Sequence, residues 1–279
     1  MNARPSHGVV CLPLLDLRTR PEHRAELASQ LLMGEIVRVL VEGAPRGWCR
    51  VCNAADGYCG WVRDWGLVRA AAARVAGWKR LAVATVAAPF VSVQARPGTG
   101  GSVSPLFHGG RVIPGRRSGR YRQVELPDAR RGWVPESSLR MAGATAPSLE
   151  KRVETLFGTP YMWGGRSPAG YDCSGFVQQV LLEQGVALPR DAQAQFRASR
   201  PLGPREVPAV GDLAFFSAKL DHIEHVGLAM GDRYFSHCRG VVRINSIDQD
   251  NPLCDKELLP QFRGWGRPRK KWGPGPLRG

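Results

Sequence analysis

The chain has no run of about 18 apolar residues, so nothing in it reads as a membrane-spanning helix. Acidic residues are scarce: 24 Asp and Glu stand against 39 Lys and Arg in 279 residues, a formal net charge of +15. That balance implies attraction to anions, whether nucleic acid, lipid headgroups or anionic substrates. Cysteine is too sparse and too scattered, at seven, for the dense framework of a small secreted domain, and mostly reduced thiols are expected. Cys49 and Cys52 form a C-x-x-C with Cys59 nearby. A strand turns positions i and i+3 to opposite faces, so these three are read as small buried core residues. No tight ligand set appears elsewhere, and neither a metal nor a cofactor is expected. The opening segment MNARPSHGVVCLPLLDLRTRP has only a short apolar piece, broken by Pro13 and Asp16. The expectation is a mature chain in the cytoplasm.

What is present divides in two. A length of 279 residues and a hydrophobic share of 43% suit two or three domains with buried cores. The first half reads as short strands punctuated by Gly and Pro, and it repeats. LDLRTRP (15–21) matches VSVQARP (91–97), and GEIVRVL (34–40) resembles GGRVIPG (109–115). GWCRV (47–51) resembles GRYRQV (119–124), and GYCGWV (57–62) resembles ARRGWV (129–134). Strand order persists while loop lengths differ, which predicts two small all-β barrels. The G-W-V ending of each copy resembles bacterial SH3-like domains. Expected boundaries are 1–75 and 76–145 for the barrels, with 70–83 bridging them and 141–150 a linker. Basic residues concentrate in 101–140, with eight Arg against three acids, and in a Gly- and Pro-rich tail, 267–279. Without stacking aromatics or a reader motif, no nucleic-acid role follows.

After residue 146 the texture changes. SLEKRVETLFG (148–158) is an amphipathic helix with Ser148 as N-cap and Gly158 as stop. A second helix begins at Cys173 and shows its apolar stripe at Phe176, Val177, Val180 and Leu181. Strands follow in DLAFFS (212–217), HVGLAMG (225–231), RYFSHC (233–238) and VVRINSI (241–247), predicting an α+β domain with an antiparallel sheet over 146–266. Cys173 falls where a glycine-rich loop (Gly164, Gly165, Gly170) becomes a helix with Asp172 as cap. There the dipole and free backbone N–H groups favour a thiolate. A nucleophile also needs a base. His225 and His237 lie on adjoining strands joined by a Gly-Asp turn, so His225 can serve the thiol while His237 orients its ring. His222 precedes the strand and is expected in solvent.

The segments PYMWGG, YDCSGFVQQV, LPRDAQAQ, VGDLAFFS, HVGLAMG and YFSHC, in that order and spacing, resemble the NlpC/P60 family of cysteine peptidases over residues 148 to about 266. The resemblance implies a papain-like α+β catalytic domain with Cys173 as nucleophile, His225 as base and His237 as third polar residue. It also implies cleavage of peptidoglycan stem peptides between γ-D-glutamyl and a diamino acid, meso-diaminopimelate or L-Lys. Tyr161 becomes a candidate oxyanion donor beside the Cys173 N–H, and Trp163 and Ser174 candidate substrate contacts, Ser174 at the D-glutamate carboxylate.

Barrels ahead of such a domain are similar to the γ-D-glutamyl-L-diamino-acid endopeptidases of the YkfC type. In these the first module covers one end of the cleft and admits only a free N-terminal L-Ala. By motif position Glu35, Tyr58 and Asp191 are the candidates to bind its ammonium. In the second barrel Gly110 and Arg130 stand near the equivalents of Glu35 and Tyr58, leaving a scaffolding or anion-attracting role. Ala192 stands where many relatives have serine. The leading expectation is a cytoplasmic, monomeric recycling peptidase of murein peptides; the alternatives are an exported hydrolase of intact wall and a non-catalytic wall-binding protein.

Overall fold

The computed structural model describes residues 6–44, 47–219 and 221–269, and most of the basic tail (270–279) lies outside them. The chain divides into two compact units at Thr145/Ala146.

The first unit holds two seven-stranded antiparallel sheets. One is built from β1 (His7–Val10), β2 (Leu14–Arg18), β3 (Leu27–Leu32), β4 (Ile36–Ala44), β5 (Trp48–Asn53), β6 (Cys59–Arg63) and β7 (Leu67–Ala70). After helix α1 (Ala72–Leu81) come β8 (Ala84–Val86), β9 (Phe90–Arg96), β10 (Thr99–Phe107), β11 (Arg111–Ser118), β12 (Tyr121–Glu125), β13 (Arg131–Pro135) and β14 (Leu139–Met141). The spatial orders, β3-β2-β6-β5-β4-β1-β7 and β10-β9-β13-β12-β11-β8-β14, are the same order strand for strand. Each sheet closes over its own core, Leu15, Leu17, Leu31, Val37, Val51 and Val62 in one and Val91, Val93, Leu106, Val112, Val124 and Val134 in the other. The repeated Gly-Trp has a packing cause. A Cβ at Gly60 would strike Leu17, and one at Gly132 would come within 2.5 Å of Val93, so a neighbouring strand crosses too closely for any side chain.

Helix α1 falls across the expected boundary at 75/76. Its Trp78 is buried with Val9 and Ala82, beside Ile36 of the first sheet and Ile113 of the second, and its indole N–H donates to the Gly34 carbonyl at 2.9 Å. Arg130, on the second sheet's side, donates to the carbonyls of Val103 and Cys11.

The cysteine expectation is corrected here. Cys52 and Cys59 face each other across β5 and β6 and form a disulfide, whereas Cys49 is a buried thiol outside it. Divergence of i and i+3 on one strand held for Cys49 and Cys52, but the directly opposed residue of the next strand supplies a partner that spacing does not show. Of seven cysteines, titration of the denatured, unreduced protein with a thiol reagent should therefore count five; a count of seven would remove the bridge.

The second unit contains α2 (Leu149–Glu154), a short hairpin β15 (Arg166–Ser167) and β16 (Gly170–Tyr171), then α3 (Cys173–Glu183) and α4 (Ala192–Arg197). Strands β17 (Ser199–Pro201), β18 (Leu213–Phe216), β19 (His225–Gly231), β20 (Tyr234–Arg239), β21 (Val241–Ser246) and β22 (Phe262–Pro268) follow. They form a six-stranded antiparallel sheet in the order β17-β22-β18-β19-β20-β21. The unit is sheet-rich with few helices. The expected end at residue 266 falls inside β22, whose Pro268 pairs with Ser199 and whose Arg267 is bound to Asp212 at 2.8 Å. Ser148 caps α2 by accepting the Lys151 N–H, and the helix is shorter than the apolar pattern suggested. Its Arg152 makes a buried bidentate pair with Glu183 of α3, at 2.5 and 2.9 Å, joining the two helices where water is excluded.

α3 is buried along nearly its whole length, with Phe176, Val177, Val180 and Leu181 in one core with Leu213, Phe215, Val226 and Leu228 of the sheet. Burying such side chains is worth about 1.5–3 kcal/mol each. It also fixes where the helix begins.

Candidate active site

The site is assembled by the start of α3. Asp172, the N-cap, accepts the Gly175 N–H at 2.7 Å through Oδ1 and the Gly164 N–H at 3.0 Å through Oδ2. One carboxylate thus ties the glycine-rich loop to the helix. Gly175 is required by close approach, because a Cβ there would overlap the Gly165 carbonyl. Behind the cap, Arg190 is almost wholly buried and forks onto Asp172, with Nη2 to Oδ2 at 2.6 Å and Nη1 to Oδ1 at 3.0 Å.

Cys173 is the first residue of α3 and is buried. The backbone N–H groups of Val226, the residue after His225, and of Ser174 are directed at its sulfur. Burial pushes the thiol up to about 12, and Asp172 adds to the rise; the Val226 N–H, Arg190 and the Ser174 N–H oppose it. Burial thus opposes the ionisation that the helix start favours.

His225 opens β19 and His237 lies in β20. His225 Nε2 and His237 Nδ1 are 2.8 Å apart, and His237 Nε2 is 2.9 Å from Asn245 Oδ1 on β21. Burial, then the neighbouring His237, holds the His225 imidazole well below its ordinary range, while burial lowers His237 to about 4. Both rings are neutral at pH 7. A neutral imidazole can act as a general base, and the Val226 N–H brings the start of β19, which carries His225, to the Cys173 sulfur.

Tyr161 is 37% exposed and close enough to Cys173 for the two to interact electrostatically; burial and Cys173 raise its phenol, which stays a donor. Trp163, on the same loop, is 59% exposed. Asp191 is exposed at the N-cap of α4, where it makes no side-chain cap bond, and Ala192 beside it is buried. Ser174 is where sequence reasoning placed it in the chain but not in contact. Its hydroxyl lies buried between Asp172 Oδ1 at 3.2 Å and Arg190 Nη1 at 2.9 Å, turned to the interior network and not to a substrate carboxylate. His222 is exposed. Cys238 is buried, with its thiol on the Tyr171 carbonyl at 3.2 Å.

In the first unit, Glu35 Oε2 accepts the Leu32 N–H at 3.0 Å and the Asn53 amide at 3.3 Å, and the Asn53 N–H donates to the Tyr58 carbonyl at 2.9 Å. Asn53 thereby gathers Glu35 and Tyr58 at one end of that sheet. Arg190 and Asn245 escaped the sequence reading. Arg190 sits inside the LPRDAQ motif, next to the residue that was chosen. Asn245 is two positions from Arg243, the strand partner of His237, a relation visible only once the register is known.

A thiol at a buried helix start with a relay of two imidazoles is the arrangement of a thiol hydrolase. Residues 158–259 match the model of the NlpC/P60 family, and residues 17–67 match that of the bacterial dipeptidyl-peptidase Sh3 domain. The chain carries an NlpC/P60 domain preceded by a bacterial SH3 domain. Among curated relatives, the dipeptidyl-peptidase 6 of Lysinibacillus sphaericus is 26% identical over 93% of this chain and 98% of its own length. The γ-D-glutamyl-L-lysine dipeptidyl-peptidase of Bacillus subtilis is 37% identical over 33% of this chain and 32% of its own. A probable endopeptidase of Mycobacterium tuberculosis is 32% identical over 117 residues, and the chain spans only 29% of that protein's length. A solved NlpC/P60 family protein from Bacillus cereus superposes with a TM-score of 0.80 over 94% of this chain and 99% of its own, at 20% identity, a likeness of fold.

Proposed function

We propose that the protein is a cysteine peptidase of cell-wall peptides that cleaves between a γ-D-glutamyl residue and a diamino acid. The observation that carries this reading is the relay of His225, His237 and Asn245, with the N–H of Val226, the residue after His225, directed at Cys173, joined to the NlpC/P60 match. The names of the B. subtilis and L. sphaericus relatives support the bond and the class of cleavage.

Chemically, Cys173 attacks the γ-glutamyl carbonyl as its proton passes to His225, whose Nδ1 is the ring nitrogen not bonded to His237. The tetrahedral oxyanion is met by the Cys173 N–H and the Tyr161 hydroxyl. His225 then returns the proton to the leaving amine, a thioester remains on Cys173, and water activated by the same imidazole releases the acid. No metal or cofactor enters these steps.

The finer specificity is for peptides with a free N-terminal L-Ala. Its ammonium needs anionic or phenolic partners, for which Asp191, Glu35 and Tyr58 are the candidates. L-Ala-γ-D-Glu-meso-diaminopimelate should be cleaved at least about tenfold faster than its N-acetylated form, since loss of a charge-assisted bond costs about 1.5–3 kcal/mol; equal kcat/KM for both would reject the requirement. The SH3-like repeat of β8 to β14 is proposed as a second such module that scaffolds the first and presents its arginines to anionic partners.

This specificity suits recycling of short murein peptides in the cytoplasm. The Cys52–Cys59 disulfide favours the second reading, an exported enzyme, because such bonds persist in oxidising compartments. Clearing of purified sacculi separates the two, since an enzyme restricted to free L-Ala should leave intact wall uncut.

A further inference from the structure

We propose that Asn245 is a positioning residue that sets the tautomer of both site histidines. The proposal deepens the thiol-imidazole reading of the site and rests on it.

The argument begins at a backbone carbonyl. Asn245 Nδ2 lies 2.7 Å from the Leu253 oxygen, and only a donor can satisfy a carbonyl, so the amide nitrogen points there. Its Oδ1 must then face His237 Nε2, 2.9 Å away, and because Oδ1 can only accept, His237 carries its proton on Nε2. A neutral imidazole has one N–H, so His237 Nδ1 is a bare acceptor. That acceptor lies 2.8 Å from His225 Nε2, which must therefore be the donor, and the lone pair of His225 falls on Nδ1. The choice of base nitrogen is thus passed through three side chains from a carbonyl with no proton of its own.

The fold makes the chain of bonds rigid. Phe235 pairs with Asn245 and His237 with Arg243 across β20 and β21, so these four side chains share one face of the sheet. The Phe235 ring packs on His237 with centroids 4.8 Å apart. His237 itself is fully buried.

An amide serves here where a carboxylate would not. A carboxylate accepts from His237 equally well, but its charge favours an imidazolium, and an imidazolium has no lone pair at Nδ1 to receive the His225 N–H. It would also set an oxygen against the Leu253 carbonyl. Among the described residues, the other charges that act on the pair are Arg239 on β20 and Arg243 on β21, both bound to Asp255 at 2.9 and 3.0 Å. These leave Asn245 as the neutral contact of His237 Nε2.

Long-range proton–nitrogen NMR of the histidine rings, recorded on the full chain at pH 7, tests the assignment without reference to turnover. Both rings should carry their proton on Nε2. Asn245→Ala should give mixed tautomers at His237 and lower kcat about 100-fold with KM changed less than about twofold. Asn245→Asp should keep kcat at pH 8 within about tenfold. Its acidic limb should move upward from the region near 4 where wild-type His237 protonates, because the added negative charge stabilises the protonated ring. A wild-type His237 protonated on Nδ1 would overturn the proposal, as would an alanine variant with unchanged tautomers and kcat. A wild-type protein that shows the expected tautomers yet cleaves no γ-glutamyl peptide would instead defeat the peptidase reading.

Discussion

Cys173→Ala and His225→Ala should each lower kcat/KM for L-Ala-γ-D-Glu-meso-diaminopimelate by about 10⁴-fold or more, and the double variant should be hardly worse than either alone. Groups acting as one unit give such non-additive losses, because a nucleophile without its base and a base without its nucleophile are equally idle. The neutral resting pair sharpens the expectation. With the Cys173 thiol pushed up to about 12 and His225 held low, little thiolate stands ready, so removal of the imidazole cannot be offset by a pre-formed anion. Losing a buried thiol leaves only a small cavity, and the alanine variant should unfold within about 1 kcal/mol of wild type. Steady-state kinetics on the purified variants decides the matter. Residual turnover within tenfold of wild type in the Cys173→Ala protein would sink the assignment.

The largest loss of stability is expected from Arg190→Met. The side chain of Arg190 is 1% exposed and that of Asp172 11%, so the pair is screened little by solvent. Methionine retains most of the packing but leaves the Asp172 carboxylate buried with no counter-ion, and breaking a buried pair on one side costs about 3–5 kcal/mol. The Ser174 hydroxyl loses a donor in the same step. Urea unfolding should register this as a lowered midpoint. Asp172→Asn in the same background should recover part of it, since the orphaned charge is then gone; the recovery separates charge from packing. Activity should fall in the single variant as well, because Arg190 offsets the Asp172 charge felt by Cys173. An Arg190→Met protein as stable as wild type would show that the pair contributes nothing net. Lysine would not substitute, because it cannot fork onto both carboxylate oxygens.

How far the sequence was legible depended on the range of the interactions. The start of α3 could be read from the Gly-rich loop, the Asp172 cap and the apolar spacing that follows, because capping and amphipathic periodicity act within one or two turns. The approach of His225 to His237 followed from two alternating segments and a Gly-Asp turn, a local hairpin whose left-handed residues are Gly231, Asp232 and Arg233. The repeat was visible as matched motifs, and the identical strand orders of the two sheets supply its meaning. What failed involved partners brought together from a distance. The resemblance places Ser174 at a D-glutamate carboxylate, whereas α3 sets its hydroxyl against Arg190, sixteen residues on. The spacing argument compares Cys49 with Cys52 on one strand and does not reach Cys59 on the strand that pairs with it.

The sequence by itself determined where α3 begins, that His225 and His237 meet on adjoining strands and that the chain is modular, because each rests on contacts between residues near one another along the backbone. Only the tertiary structure decided which buried arginine neutralises the cap and which asparagine orients the relay. It also decided which thiols meet and that burial opposes the expected ionisation of Cys173. Those outcomes depend on strand register and on the exclusion of water, and neither exists until the sheet and α3 have packed together.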